Sequence, residues 1–138
     1  MASTVEKILL VDDEETVRRF GARVLAKHGY EVLAAGTGPE AITLARRSAD
    51  QIHLLVTDVM MPGMNGRELA ERLLAQRPSL RVLFISGYAE NVLASHVGLV
   101  PGAAFLGKPF KPKALVTKVR DVLDSPIGVG TRGGVNIS

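Results

Sequence analysis

The chain has 138 residues, of which 46% are hydrophobic, and a formal net charge of +3. This length is sufficient for one buried core and short for two ordinary domains, so we expect a single domain. The absence of cysteine excludes disulfides and thiolate metal sites. No apolar run approaches the roughly 20 residues of a membrane-spanning helix. The first residues also lack the features of a signal peptide, so we expect no membrane insertion and a cytoplasmic location.

Direct binding of nucleic acid is not expected from the composition. The positive charge is modest, and the arginine pairs lie among acidic residues instead of forming one basic block. With four Phe, two Tyr and no Trp, the chain also lacks an aromatic surface on which bases could stack.

Short apolar runs alternate with amphipathic stretches, a pattern that predicts βα units feeding a parallel sheet. The first strand is predicted at residues 7–11 and is followed by a helix over residues 15–28, which Gly29 ends. A second strand at residues 30–34 leads to a helix that starts at Pro39. The apolar positions of the first helix follow its 3.6-residue period: Val17, Phe20, Val24 and Leu25.

The third predicted strand, residues 53–57, is apolar on successive positions, as in a central strand buried on both faces. Asp58 stands at its carboxyl end. Asn65, in the turn that follows, is a predicted cap for the third helix. A fourth strand is predicted at residues 81–85.

The last third of the chain contains a predicted short helix within residues 89–100, which Gly98 and Pro101 limit to two or three turns. A fifth strand is predicted at residues 103–106, followed by a final amphipathic helix. We therefore expect one domain over residues 1–124 and a disordered tail or linker stub over residues 125–138.

Polar residues stand at the ends of four predicted strands. Asp12 and Asp13 follow the first strand, Asp58 the third, Ser86 the fourth and Lys108 the fifth. An open parallel sheet binds ligands at the carboxyl ends of its strands, so these residues are expected to meet at one edge. Three carboxylates there need a cation, because two unit charges about 4 Å apart repel by roughly 4 kcal/mol at an effective dielectric constant near 20. Oxygen ligands favour Mg²⁺.

Beside such a cation, a carboxylate could attack phosphorus and form an aspartyl phosphate. Asp58 is the predicted nucleophile. Lys108 would offset the added negative charge, and the Ser86 hydroxyl could donate a hydrogen bond to a phosphoryl oxygen.

Each motif also has an ordinary structural explanation. Asp12 and Glu15 have capping-box spacing, Asp58 could be a turn residue, Ser86 could belong to a turn and Lys108 could be exposed. If these explanations held for all four motifs, four independent coincidences would have placed the motifs at the ends of predicted strands.

The three histidines have no metal-ligand spacing and are expected to be surface or packing residues: His28, His53 and His96. The Arg18, Arg19 and Phe20 cluster could dock a helix of a partner protein or could be a solvated arginine pair beside a core Phe.

Four motifs together resemble the receiver domains of response regulators in two-component signalling, over about residues 6–124. The motifs are Leu10-Val11-Asp12-Asp13-Glu14, Thr57-Asp58-Val59-Met60-Met61-Pro62-Gly63-Met64-Asn65-Gly66, Ile85-Ser86-Gly87 and Lys108-Pro109-Phe110. The resemblance implies an α/β flavodoxin-like (βα)5 three-layer sandwich with a five-stranded parallel sheet in the order 2-1-3-4-5.

The resemblance also implies a role for each site residue. Asp58 would be the phosphoacceptor, and Mg²⁺ would be held by Asp12, Asp13, Asp58 and the Met60 carbonyl. Ser86 and Phe105 would form the switch, Lys108 would pair with the phosphate, and the Lys108-Pro109 peptide would be cis. A histidine kinase or histidine phosphotransfer domain would donate the phosphoryl group. The downstream protein is unidentified, and dimerisation on phosphorylation is left open.

Residues 84–91 and 105–110 are similar to the C-terminal receiver domains of hybrid sensor histidine kinases. A chain of this kind could be one domain of a larger kinase. Met60 and Tyr88 hold positions that tune phosphate loss in similar proteins, and neither has a carboxylate or amide to position an attacking water. The resemblance therefore implies slow autodephosphorylation.

Two enzyme-like alternatives use a similar architecture. A stand-alone phosphatase or phosphotransferase would need a second acid or base two residues after Asp58, where Met60 stands, and a cap domain to enclose its substrate. A flavin-binding domain would need a phosphate loop after the first strand, where Asp12 to Glu15 would repel phosphate. We therefore expect a signalling module and not an enzyme acting on external substrates.

Overall fold

Five strands and four helices form in residues 5–87 and 103–125, the part of the chain that the computed structural model describes. The strands are β1 Lys7–Val11, β2 Glu31–Ala35, β3 Leu54–Asp58, β4 Arg81–Ser86 and β5 Ala104–Gly107. The helices are α1 Glu15–Lys27, α2 Gly38–Arg47, α3 Gly66–Gln76 and α4 Pro112–Asp124. Four predictions lie outside the described residues: the short helix within 89–100, the tail beyond Ser125, the surface position of His96 and the effect of Tyr88 on phosphate loss.

The strands are all parallel and pair in the order β2-β1-β3-β4-β5, which confirms the predicted sheet. The pairing brings the carboxyl ends of the strands to one edge. Thr57 pairs with Val11 and Phe84, and Ser86 pairs with Gly107. Residues that follow β1, β3, β4 and β5 are therefore close in space although far apart in sequence.

Two apolar layers cover the sheet, one on each face. Alternate strand residues such as Leu9 and Leu55 pack with α2 and α3 on one face, and Leu10 and Val56 pack with α1 and α4 on the other. All five residues of β3 are buried, as expected for a central parallel strand. The three-layer, flavodoxin-like fold is confirmed. Among the helices of the described residues, none is long and apolar enough to cross a membrane.

Four strands end one residue later than the sequence pattern predicted. The last residues of β2, β3, β4 and β5 are Ala35, Asp58, Ser86 and Gly107. Asp58 pairs with Ile85 and Ser86 with Gly107, so the ladder continues past the apolar run on which the prediction was based. Asp58 and Ser86 are consequently held by the sheet and not by a loop.

The helix starts depend on different caps. The Asn65 cap of α3 is confirmed, and Glu68 completes a capping box. In contrast, the capping box considered for Asp12 and Glu15 is wrong, because Glu14 is the N-cap of α1 and makes no side-chain cap bond. Asp12 Oδ1 instead accepts a 2.9 Å hydrogen bond from the Glu14 N–H, and Asp12 Oδ2 takes no part in a cap.

Phe20 does not occupy the core, contrary to one of the two interpretations of its cluster. Its side chain is 38% exposed, and its ring centroid lies 6.0 Å from that of Phe110. The buried residues of α1 are Gly21 and Leu25. Two aromatic rings are thus paired at the surface, between α1 and the segment that precedes α4.

Candidate functional site

The residues that follow or end the strands meet as predicted. Asp12 is fully buried directly after β1, and Asp58 is 3% exposed at the end of β3. Ser86 is fully buried at the end of β4, and Lys108 follows β5. Asp13 is exposed at the same edge. The sheet therefore supplies buried acidic groups, a hydroxyl and a lysine to one place.

Three carboxylates form a group that could hold a metal ion. One oxygen from each of Asp12, Asp13 and Asp58 lies within 4.8 Å of the others. The buried Asp12 Oδ2 has no hydrogen-bond partner among the described residues, and a buried carboxylate oxygen in this state is well suited to bind a cation. An all-oxygen ligand set is the type that Mg²⁺ prefers. The residues present fit this ion.

Lys108 provides a positive charge inside the acidic group. Its Nζ donates a hydrogen bond of 2.9 Å to Asp58 Oδ2 and lies 3.1 Å from Asp12 Oδ2, an ion pair without hydrogen-bond geometry. The same Nζ lies 3.2 Å from Glu14 Oε1. The sequence reasoning missed Glu14 as a partner of Lys108, although its place next to Asp12-Asp13 was a usable signal.

Burial and neighbouring charges act in opposite directions on the pKa of Asp12 and on that of Lys108. Burial raises the pKa of Asp12, and the Glu14 N–H and the Lys108 ammonium only partly offset this effect. Burial lowers the pKa of Lys108, but its hydrogen bond to Asp58 and its ion pair with Asp12 outweigh burial, so the pKa of Lys108 is raised. The lysine is therefore charged at neutral pH, and the Asp12 carboxylate gains from any nearby cation.

Asp58 is held through its backbone as well as its carboxylate. The Thr57 hydroxyl donates a 3.0 Å hydrogen bond to the Asp58 carbonyl oxygen, and the Met60 N–H donates a 3.4 Å bond to Asp58 Oδ1. Thr57 is a buried polar residue that the sequence pattern did not single out. The Met60 carbonyl as a metal ligand stays a prediction.

Ser86 and Phe105, the predicted switch residues, lie on neighbouring strands. The Ser86 hydroxyl is buried and makes no hydrogen bond to any described residue. The Ser86 carbonyl accepts a 2.7 Å bond from the Lys108 N–H, and the Lys108-Pro109 peptide is cis, as the resemblance implied. Phe105 is partly buried and stacks on Phe84, with 5.6 Å between ring centroids.

The arginine cluster on α1 divides into two different environments. Arg18 Nη1 donates a 2.8 Å hydrogen bond to the Asp12 carbonyl oxygen. Arg19 is 69% exposed and pairs with Glu15 at 3.6 Å.

Of the two described histidines, His53 accepts a hydrogen bond from the Lys7 N–H and His28 contacts the Val24 carbonyl. Neither belongs to the carboxylate group.

A family model described as the response regulator receiver domain matches residues 8–120. The chain belongs to this family of phosphoryl-accepting domains in two-component signalling, in which a histidine kinase is the phosphodonor.

Individual relatives agree with this family. Sensor kinase CckA of Brucella abortus is 38% identical over 117 residues, 85% of this chain but 12% of the kinase. Response regulator receiver protein CpdR of the same organism is 35% identical over 119 residues, 86% of this chain and 98% of CpdR. A solved receiver domain of hybrid histidine kinase CckA has a TM-score of 0.72 and 37% identity, covering 86% of this chain and 99% of that domain. The predicted similarity to hybrid-kinase receivers is confirmed.

Proposed function

We propose that Asp58 accepts a phosphoryl group from the phosphohistidine of a histidine kinase or histidine phosphotransfer domain. A carboxylate oxygen of Asp58 would attack phosphorus, the phosphorus–nitrogen bond would break, and the electron pair would remain on the departing imidazole. The observation that carries this proposal is the buried Asp58 carboxylate, bonded at 2.9 Å to Lys108 and grouped with two further carboxylates. Lys108 would then pair with the phosphoryl oxygens.

Mg²⁺ is the proposed cofactor, held by Asp12, Asp13, Asp58 and the Met60 carbonyl. When bound, the ion supplies positive charge that neutralises phosphoryl oxygens during the transfer. The rise in the pKa of Asp12 through burial supports this role. The Lys108 ammonium lies within ion-pair distance of both buried carboxylates, 3.1 Å from Asp12 Oδ2 and 2.9 Å from Asp58 Oδ2.

Phosphorylation would change protein contacts through Ser86 and Phe105. The buried Ser86 hydroxyl lacks a hydrogen-bond partner in the described part of the chain, and a phosphoryl oxygen on Asp58 would give it an acceptor. Its movement would leave space that the partly buried Phe105 could enter. This is a two-state equilibrium that the new charge would bias.

The surface pair of Phe20 and Phe110 supports docking of a phosphodonor helix beside the site. Phe110 follows Lys108 by two residues, Phe20 lies on the helix that begins three residues after Asp12, and Phe20 is 38% exposed. We also propose that the receiver domain occupies residues 1–124 and that residues 125–138 form a tail or linker. CckA and CpdR represent the two forms in which such a domain could act, as part of a hybrid kinase or alone.

Incubation with acetyl phosphate and Mg²⁺, followed by intact mass measurement, tests the proposed phosphoacceptor. We expect one added phosphate on the wild-type chain, none on Asp58→Asn, and one on the control Asp121→Asn, which changes an exposed aspartate on α4. Omission of Mg²⁺ should greatly reduce the adduct. Failure of the wild-type chain to gain phosphate with Mg²⁺ would overturn the proposal.

The phosphate on Asp58 is expected to be long-lived. Met60, two residues after Asp58, is 50% exposed and cannot orient water for attack on phosphorus. The second position implied in this effect, Tyr88, lies outside the described residues. Decay of the mass adduct after removal of the donor measures the lifetime, and a half-life of seconds with Mg²⁺ present would contradict the expectation.

A further inference from the structure

One side chain of α1 holds the peptide group that joins Asp12 to Asp13. Arg18 Nη1 donates a 2.8 Å hydrogen bond to the Asp12 carbonyl oxygen, which belongs to that peptide. The peptide is planar, and the two carboxylates leave the chain from the Cα atoms at its two ends. A rotation of this plane would therefore move both carboxylates relative to Asp58.

The other bonds of Asp12 do not fix this plane. The Asp12 N–H, which donates a 3.2 Å bond to the Ala35 carbonyl, belongs to the preceding peptide. The Glu14 N–H, which donates a 2.9 Å bond to Asp12 Oδ1, can follow the carboxylate if the turn shifts. Arg18 is anchored instead in helix α1, where its N–H donates to the Glu14 carbonyl.

The guanidinium of Arg18 has a defined place against Gly36, just after β2. A Cβ added to Gly36 would lie 3.0 Å from Arg18 Nη1 and 3.5 Å from Cζ. Gly36 does not have the positive φ that disfavours side chains. An alanine there should therefore shift the Arg18 guanidinium by a few tenths of an ångström without straining its own backbone.

We propose that Arg18 is a positioning residue that sets the angle between the Asp12 and Asp13 carboxylates and so strengthens Mg²⁺ binding. This inference rests on the proposed metal site. Charge alone predicts the opposite effect, because an arginine near a cation site repels the cation. The sign of the change in Mg²⁺ affinity therefore distinguishes positioning from electrostatics.

The test measures Mg²⁺ binding by isothermal titration calorimetry and Mn²⁺ binding by electron paramagnetic resonance. Gly36→Ala keeps the arginine charge and shifts the guanidinium, and we expect it to raise Kd by a smaller factor than the roughly tenfold rise that full loss of an outer contact to a metal ligand produces. Arg18→Ala should also raise Kd, whereas Arg19→Ala removes the same charge from an exposed neighbour and should not. The Arg18→Ala, Gly36→Ala double variant should bind no more weakly than Arg18→Ala alone.

Two outcomes would overturn the positioning role while leaving the metal site intact. One is wild-type Kd in both Gly36→Ala and Arg18→Ala, and the other is additive losses in the double variant. A wild-type chain that binds neither ion would overturn the metal site and the role of Arg18 with it. Thermal unfolding with EDTA present reports separately on folding, so weak binding cannot be mistaken for an unfolded variant.

Discussion

Replacing Gly66 with alanine is expected to destabilise the chain by about 3 kcal/mol, the upper part of the usual range for overpacking. An added Cβ would lie far inside contact distance of the Asp58 carbonyl oxygen, and 3.1 Å from both the Asp58 carbonyl carbon and Val59 Cα. These are backbone atoms at the end of β3, so the strand end or α3 must move. The same movement would displace Asp58, and we expect slower phosphate uptake from acetyl phosphate. Denaturant unfolding measures the first effect and intact mass the second.

Gly38 provides a matched control, because it is also a buried glycine at the start of a helix. A Cβ at Gly38 would lie 2.7 Å from Met64 Sδ and 2.9 Å from Met64 Cβ. A change of rotamer relieves the first contact, and a small shift of the turn that carries Met64 is needed for the second. We expect Gly38→Ala to cost about 1–2 kcal/mol, less than Gly66→Ala, because no strand backbone has to move. Equal losses in the two variants would show that the backbone contact at Gly66 is not the cause.

Replacing Lys108 with methionine is expected to make folding strongly dependent on Mg²⁺. In the absence of metal, the variant leaves the buried Asp12 and Asp58 carboxylates without their nearest positive charge. We expect a loss of about 2–3 kcal/mol, somewhat less than for a fully buried pair because Lys108 is 16% exposed. Added Mg²⁺ should recover most of this loss, because a cation that binds only the folded state stabilises it.

The measurement compares the free energy of unfolding with EDTA and with Mg²⁺. The stabilisation by Mg²⁺ should be larger in Lys108→Met than in the wild-type chain, since no ammonium competes for the carboxylates. Lys111→Met removes an exposed lysine nearby and should respond to Mg²⁺ as wild type does. If Mg²⁺ stabilises Lys108→Met no more than wild type, Lys108 and the ion do not act on the same carboxylates.

The sequence was sufficient to predict the sheet because each parallel strand carries apolar residues on both faces. Four of the five residues of β1 and three of the five residues of β3 are apolar. The order of the strands, in contrast, was expected from the resemblance to receiver domains. Apolar content does not report where a hydrogen-bonded ladder stops. The strands that end in Asp58, Ser86 and Gly107 therefore extend one residue beyond their predicted limits.

The site residues were predictable where they stand at strand ends, since the fold brings those ends together. Glu14 and Arg18 were not assigned to the site, because their contacts depend on how the turn after β1 folds back over Lys108 and the Asp12 carbonyl. The exposure of Phe20 could not be predicted from the sequence either. Its helical spacing fits the core, but Phe110 packs against it at the surface.

Lys108 is joined to two different strands by two parts of the same residue. Its N–H is bonded to the Ser86 carbonyl of β4, while its Nζ is bonded to the Asp58 carboxylate of β3. A change of charge on Asp58 that moves the ammonium would therefore act on the same residue whose backbone is bonded to β4. Lys108 in this way links the charge on the Asp58 carboxylate to the backbone pairing at the end of β4.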